Sequence, residues 1–240
     1  MQPGVPAFGF HHTTPRTPCP EQEIQGVGTV AAYIDGFNLY YGMKSKYGRK
    51  YLWLDLVKLV RQLRPEDELV LVRYFTTIVR GEPTAAANQV HYLDALQAHS
   101  GDLLDTHIGW FKRGSLSPCR ICGEHWQCEC PRRPRTFEEK ETDVALAVSM
   151  VEDTAARLAD RTLLISADSD FAPAVAAIKR MRPGQPVILG MPAGNMQPHK
   201  RFVDVGHFNI NETHLRHSQL PEEVFDPLRK TSWRRPEKWI

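Results

Sequence analysis

No run of apolar residues in this sequence approaches the roughly 20 that a membrane-spanning helix requires, so a membrane-embedded protein is not expected. The first 26 residues also lack the apolar stretch of a secretory signal, and a cytoplasmic protein is the default expectation. There is little excess charge of either sign. The formal net charge is +2, so no global basic character marks a nucleic-acid binder, and only a local basic surface is open to one. Internal repeats are lacking. Cysteine is sparse and uneven: of five, Cys19 stands alone, and Cys119, Cys122, Cys128 and Cys130 fall within twelve residues. In a reducing compartment such a cluster suggests a metal before it suggests disulfides. What remains is ordinary globular material. Hydrophobic residues make up 42% and charged residues 24% of 240, enough for one large domain or two small ones.

Residues 1–26 are rich in Pro, Thr and Gln without a period and read as a flexible arm. Val30 to Ile34 form a short buried-strand run that stops at Asp35-Gly36. "LDLVKLVRQL" carries Leu56, Leu59, Val60 and Leu63 at amphipathic-helix spacing. "ELVLVRYFTTIV" is β-prone, and Pro83 opens a helix that Gly101 ends. "LLDTHIGWFKRG" reads as one further strand. After the cysteine segment, Val144, Ala147, Val148, Val151, Ala155 and Leu158 suggest a buried helical stripe. "TLLISAD", "FAPAVAAIKRM" and "PVILGM" read as strand, helix and strand, and "FVDVGHFNI" holds room for one more short strand. Alternating strands and helices predict an α/β fold with a mainly parallel sheet. Residues 27–220 are read as one domain, with an insertion at 112–136, followed by a basic, aromatic tail at 221–240.

Open parallel sheets bind ligands beyond the carboxyl ends of their strands, where strand order reverses. Asp35 ends one expected strand, and Asp168 and Asp170 follow another; Asp143 opens a helix. Each acid has a plain structural explanation. Asp35 suits a turn, Asn38 and Asp170 suit helix caps, and Asp143 suits a helix N-terminus. Together they describe a second possibility. Several carboxylates share a small site only with a cation, because like charges raise one another's pKa. Mg²⁺ or Mn²⁺ is the matching guest, held by oxygen ligands.

The segments "AYIDGFNLYYG", "EEKETDVALAV" and "LLISADSDFAPAV" resemble the NYN domains, a branch of the PIN-like nucleases that includes the LabA-like bacterial proteins. The resemblance covers roughly residues 28–220, with all three motifs in the family's order. Asp35 and Asn38 match its first motif, Lys140 and Asp143 its second, and Ser166, Asp168, Ser169, Asp170 and Phe171 its third. Glu141 and Ala167 stand where the family pattern has Gly, and both crowd the backbone. The resemblance implies a PIN-like, Rossmannoid sheet of order 3-2-1-4-5 and a metal-dependent endoribonuclease acting on single-stranded RNA. In that reading Asp35, Asp143, Asp168 and Asp170 bind Mg²⁺ or Mn²⁺ for hydrolysis. Asn38 and Ser166 orient phosphate or water, and Lys140 pairs with a phosphate oxygen. A solvated surface lysine is an equal reading of Lys140, and Phe171 is more often core than a base platform.

"PCRICGEHWQCEC" has the spacing C-x2-C-x5-C-x1-C and suggests a zinc knuckle on Cys119, Cys122, Cys128 and Cys130, with His125 as a substitute ligand. Four protein ligands close a site, so this Zn²⁺ would be structural. The insertion also carries Lys112, Arg113, Arg120, Arg132, Arg133 and Arg135 near Trp110 and Trp126. Mixed basic and aromatic residues suit single-stranded nucleic acid; a solvated basic face is the plain alternative. The partner implied is RNA before DNA, with a homo-oligomer or regulatory protein left open. Two other functions compete. One is a non-catalytic RNA-binding scaffold with a vestigial acidic pocket. The other is a haloacid dehalogenase-type phosphatase, although Ala172 stands where that family's D-x-D-x-[TV] motif needs Thr or Val.

Overall fold

The computed structural model describes residues 28–113, 121–123, 137–194, 197–202 and 204–239. The core is a six-stranded sheet of β1 (Thr29–Asp35), β2 (Glu68–Thr76), β3 (Leu104–Ile108), β6 (Arg161–Ile165), β7 (Val187–Met191) and β8 (Gly206–Asn209). All its pairings are parallel, in the order β3-β2-β1-β6-β7-β8. The chain runs outward from β1 to β3, then crosses to β6 and runs outward the other way. Strand order therefore reverses between β1 and β6, and the two are in direct register from Val30↔Arg161 to Ile34↔Ile165. The expected order is present, with β8 added at the edge.

Helices α1 (Gly36–Tyr47), α2 (Leu56–Leu63) and α3 (Pro83–Ser100) join α4 (Thr142–Ala155), α5 (Ala172–Met181) and α6 (Glu212–His217) around this sheet. Both faces of β1 are covered. Val30, Ala32 and Ile34 enter one apolar cluster with Leu39, Trp53 and Leu96. Ala31 and Tyr33 enter the other with Leu146, Met150 and Ile178. Burial on both faces explains why β1 reads as a continuous apolar run rather than an alternating one.

Four sequence expectations change. The α4 stripe is right in part: Ala147, Val151 and Leu158 pack against the core, whereas Val144 is 68% and Val148 47% exposed, and the buried centre of the face is Thr142, Leu146, Met150 and Thr154. Thr142 and Thr154 escape an apolar pattern because they are polar by type. Thr154 is satisfied within the helix, its hydroxyl donating to the Met150 carbonyl at 2.7 Å. Second, the stretch 103–114 is two strands. Gly109 separates β3 from β4 (Trp110–Arg113), which leaves the sheet and pairs antiparallel with β5 (Phe137–Lys140). Third, Asn38 does not cap α1. Asp35 does, accepting from the Asn38 backbone N–H at 3.0 Å. Fourth, the C-terminal region holds a hairpin, β9 (Glu223–Asp226) with β10 (Thr231–Arg234), and buries Val224 and Trp233. Its approach is stitched to the domain. Trp53 Nε1 donates to the Pro221 carbonyl at 2.7 Å, and the Leu220 N–H donates to the Trp53 carbonyl at 3.0 Å.

A polar clamp fixes α4. Asp153, near its C-terminus, accepts from the Tyr33 hydroxyl at 2.8 Å and from Arg73 Nε at 2.8 Å and Nη2 at 3.0 Å. Arg73 also pairs with Asp105 on β3. The helix is thus tied to β1 and β2 at one end. Asp143, ten residues earlier, projects about 15 Å along the helix axis toward the strand ends.

Candidate active site

Asp35 is the last residue of β1 and the N-cap of α1, so one residue ends the strand and starts the helix. The step is tight. A Cβ on Gly36 would stand 2.6 Å from the Phe75 carbonyl oxygen, which is why glycine follows Asp35. Both Asp35 oxygens are engaged. Oδ1 accepts from the Asn38 N–H, and Oδ2 accepts from the Ser166 hydroxyl at 2.9 Å. Ser166 Oγ in turn accepts from the Asp168 N–H at 3.0 Å. Asn38 Oδ1 accepts from the Ala167 N–H at 3.1 Å. The β1 and β6 strand ends are therefore laced together by short side chains. This lacing needs the parallel register seen above.

A cleft of about 470 Å³ opens over this lacing, lined by Asp35, Asn38, Asp143 and Asp168 among others. Asp35 is only 7% exposed. Burial pushes its carboxyl up to about 6, against the Asn38 and Ser166 hydrogen bonds, and the charges of Asp143 and Asp168 push in the same direction as burial. The Asp143 carboxyl is also raised, first by burial and then by Asp168 and Asp170. Asp35, Asp143 and Asp168 thus sense one another across one crevice, and Asp170 acts on Asp143 from outside it.

Two residues expected at the site sit differently. Ser166 is fully buried, its hydroxyl is used in both directions, and it does not line the cleft. It positions Asp35 and Asp168 and cannot also grip a phosphate. Asp170 is turned outward: its side chain is 77% exposed, 3.8 Å from Arg201, and is not in the cleft lining. Its N–H donates to Asp168 Oδ1 at 2.9 Å, so Asp168, not Asp170, caps the turn leading into α5. Phe171 is 1% exposed and belongs to the core.

Sequence reading missed one wall. Phe37, Tyr41 and Ser45 line the cleft at i, i+4 and i+8 of α1. That spacing inside "FNLYYGMKS" was the available signal. Ala193 and Gly194, which follow β7, supply the facing wall. A Cβ on Gly42 would stand 2.7 Å from the Ala193 carbonyl, so glycine lets α1 approach this loop.

Lys140 ends β5 and is described in its backbone only. Arg132, Arg133 and Arg135 lie outside the described residues, as do Cys119, Cys128, Cys130, His125 and the arm 1–26; Cys122 is exposed.

Among the described residues no three His, Cys, Asp or Glu side chains form a ready cage for an ion. The donor chemistry nevertheless suits a hard divalent cation. Among the described residues, the cleft lining brings three carboxylates and a carboxamide together. Burial first, and repulsion from the neighbouring acids second, raise Asp35 and Asp143, and a bound cation would offset both.

The family model described as NYN domain matches residues 29–204. The chain is 26% identical over 238 residues to 6-hydroxy-3-succinoylpyridine 3-monooxygenase HspA of Pseudomonas putida, covering 86% of this chain and 74% of that protein. A solved structure of a protein of unknown function from Vibrio parahaemolyticus covers 82% of this chain and 98% of its own, at 17% identity and a TM-score of 0.49.

Proposed function

The chain belongs to the NYN domain family, and on that premise we propose that it is a metal-dependent nuclease cleaving single-stranded RNA. One observation carries the reading. Asp35, Asp143 and Asp168 meet with Asn38 in one cleft at the sheet's reversal point. The preference for RNA over DNA, and a cytoplasmic setting, come from the family resemblance and the sequence.

Asp35, Asp143 and Asp168 would hold the cation, with Asp170 beside them. Bound Mg²⁺ or Mn²⁺ supplies positive charge against the scissile phosphate and makes a water molecule more acidic. The protein's own groups do the rest. Asn38 has its oxygen engaged by the Ala167 N–H, which leaves its amide hydrogens to donate to a phosphate oxygen. Water attacks phosphorus, the bond to the leaving sugar oxygen breaks, and the proton the water gives up passes through solvent to that oxygen. Phe37 and the half-exposed Tyr41 stack at 6.1 Å, an apolar face against which a neighbouring base can lie. Lys140, Arg132, Arg133 and Arg135 would steady the strand's phosphates. The cysteine segment would hold a structural Zn²⁺ through Cys119, Cys122, Cys128 and Cys130, which metal analysis of the purified protein tests.

The deciding experiment is cleavage of labelled unstructured RNA, structured RNA and DNA with Mg²⁺ or Mn²⁺ and with a chelator. Wild type should cut unstructured RNA only with metal, and Asp168→Asn should lose that activity. Tight RNA binding without metal-dependent cleavage in wild type would favour the scaffold reading instead.

The Pseudomonas relative suggests a second reading, because its match spans most of both chains. A monooxygenase consumes dioxygen and a reductant. Oxygen uptake with 6-hydroxy-3-succinoylpyridine and a reduced nicotinamide, without RNA cleavage, would replace the nuclease reading.

A further inference from the structure

A second cavity, of about 380 Å³, lies on the other side of α1 between that helix, the start of α3 and the C-terminal Lys238 and Trp239. Its size falls in the range of about 300–1,000 Å³ usual for small-molecule sites. Phe37 and Tyr41 line both this cavity and the carboxylate cleft, so the two spaces share a wall.

Its walls have three kinds of chemistry. Tyr40, Tyr92 and Trp239 line it, with the Tyr92 and Trp239 rings packed edge to face 5.9 Å apart at 67°. Two polar groups beside these rings lack partners among the described residues. Thr77 is 3% exposed, and its hydroxyl is buried with no hydrogen bond. Asn88, half-buried on α3, has an uncommitted carboxamide, whereas its neighbour Gln89 is fully used by Val79, Thr76 and Thr77. The third kind is charge. Lys44, Arg49 and Lys238 are exposed on the lining, and Glu82 is the single carboxylate there among the described residues. None of the three cations is in an ion pair among the described residues; Lys44 only overlies the Tyr40 ring at 5.3 Å.

A ring that stacks, an edge that both donates and accepts, and an anionic arm describe one class of molecule. We infer that this cavity binds a nucleotide. The base lies among the aromatic walls, its edge is read by Asn88, and its phosphate meets Lys44, Arg49 and Lys238. The nucleotide can be free in solution or can be an unpaired residue of a strand whose neighbouring phosphate lies in the carboxylate cleft. The second source rests on the nuclease reading; the first does not.

Calorimetric titration of the full chain with UMP, AMP and a short oligouridylate separates these cases. Saturable binding of a mononucleotide is expected, weakened at least tenfold by Lys44→Glu and by Asn88→Leu. Asp168→Asn should bind it as wild type does, since that residue lies outside the cavity. Lys44 is exposed on α1, so its variant keeps the test valid if Asn88→Leu fails to fold. Competition between oligouridylate and UMP assigns the site to the strand, and UMP binding without competition assigns it to the free nucleotide. Absence of saturable binding by all three probes overturns the proposal. So does binding lost in Asp168→Asn but kept in Lys44→Glu, or binding of nicotinate in place of the nucleotides. Failure of RNA cleavage alone leaves this titration to decide the cavity by itself.

Discussion

Asp35 is buried, carries charge at neutral pH and faces two other acids. In the unfolded chain it titrates near 3.8, and in the fold at about 6. The folded state therefore holds the proton more tightly between those values. The stability this proton confers is fully present below pH 3.8 and is lost as pH rises through about 6. The gap corresponds to at most about 3 kcal/mol, since one unit is about 1.4 kcal/mol. Without divalent cations, Asp35→Asn should melt higher than wild type at pH 7 and equally at pH 3.5. Scanning calorimetry at both pH values checks this, and cleavage by the variant should be lost. Glu141 gives a second residue-scale prediction. It sits at φ 81°, a left-handed conformation that glycine adopts without a steric cost. Glu141→Gly should stabilise the fold by about 0.5–1 kcal/mol, read as a higher urea midpoint. The clue is legible in the motif itself, because the NYN pattern has glycine at this place.

At the scale of elements, the close contact of α1 with the loop after β7 shapes the cleft. Gly42→Val should force the two apart, because even a Cβ there meets the Ala193 carbonyl at 2.7 Å. Overpacking of this kind costs about 1–3 kcal/mol, and RNA cleavage should fall further than the melting temperature implies. Strands β1, β6 and β7 were legible as short apolar runs and β2 as a β-prone one, α2 by its amphipathic spacing and α3 by Pro83 and Gly101 at its ends. Helix α1 was not. "GFNLYYGMKSKY" contains two glycines and buries only Gly36, Leu39 and Met43, too few for a clear stripe. Helix α4 was legible as a helix and only in part in its face. Its packing depends on Thr142 and Thr154, whose polarity hides their burial.

For the whole molecule, the C-terminal hairpin is part of the domain's packing. Val224 is 4% and Trp233 7% exposed, and Trp239 lies 6.3 Å from the Trp53 ring. Each buried apolar side chain contributes about 1.5–3 kcal/mol. Removing residues 223–240 should cost at least about 3–6 kcal/mol and lower the melting temperature steeply. A truncated chain that melts like the full chain would make the hairpin a mere appendage.

The sequence alone determined the alternation of strands and helices, and it set the acids at strand ends, because periodicity and turn chemistry are local. Family resemblance in three short motifs added the candidate roles of Asp35, Asn38, Asp143 and Asp168. Only the tertiary structure decided which of these side chains face a common space. It turned Ser166 inward as a buried link and Asp170 outward toward Arg201. It also brought Phe37 and Tyr41 into the wall of two cavities. The physical reason is that orientation depends on register. The pairing of β1 with β6, and the clamp of α4 at Asp153, fix which way each side chain points, and no local pattern encodes contacts between residues more than a hundred positions apart.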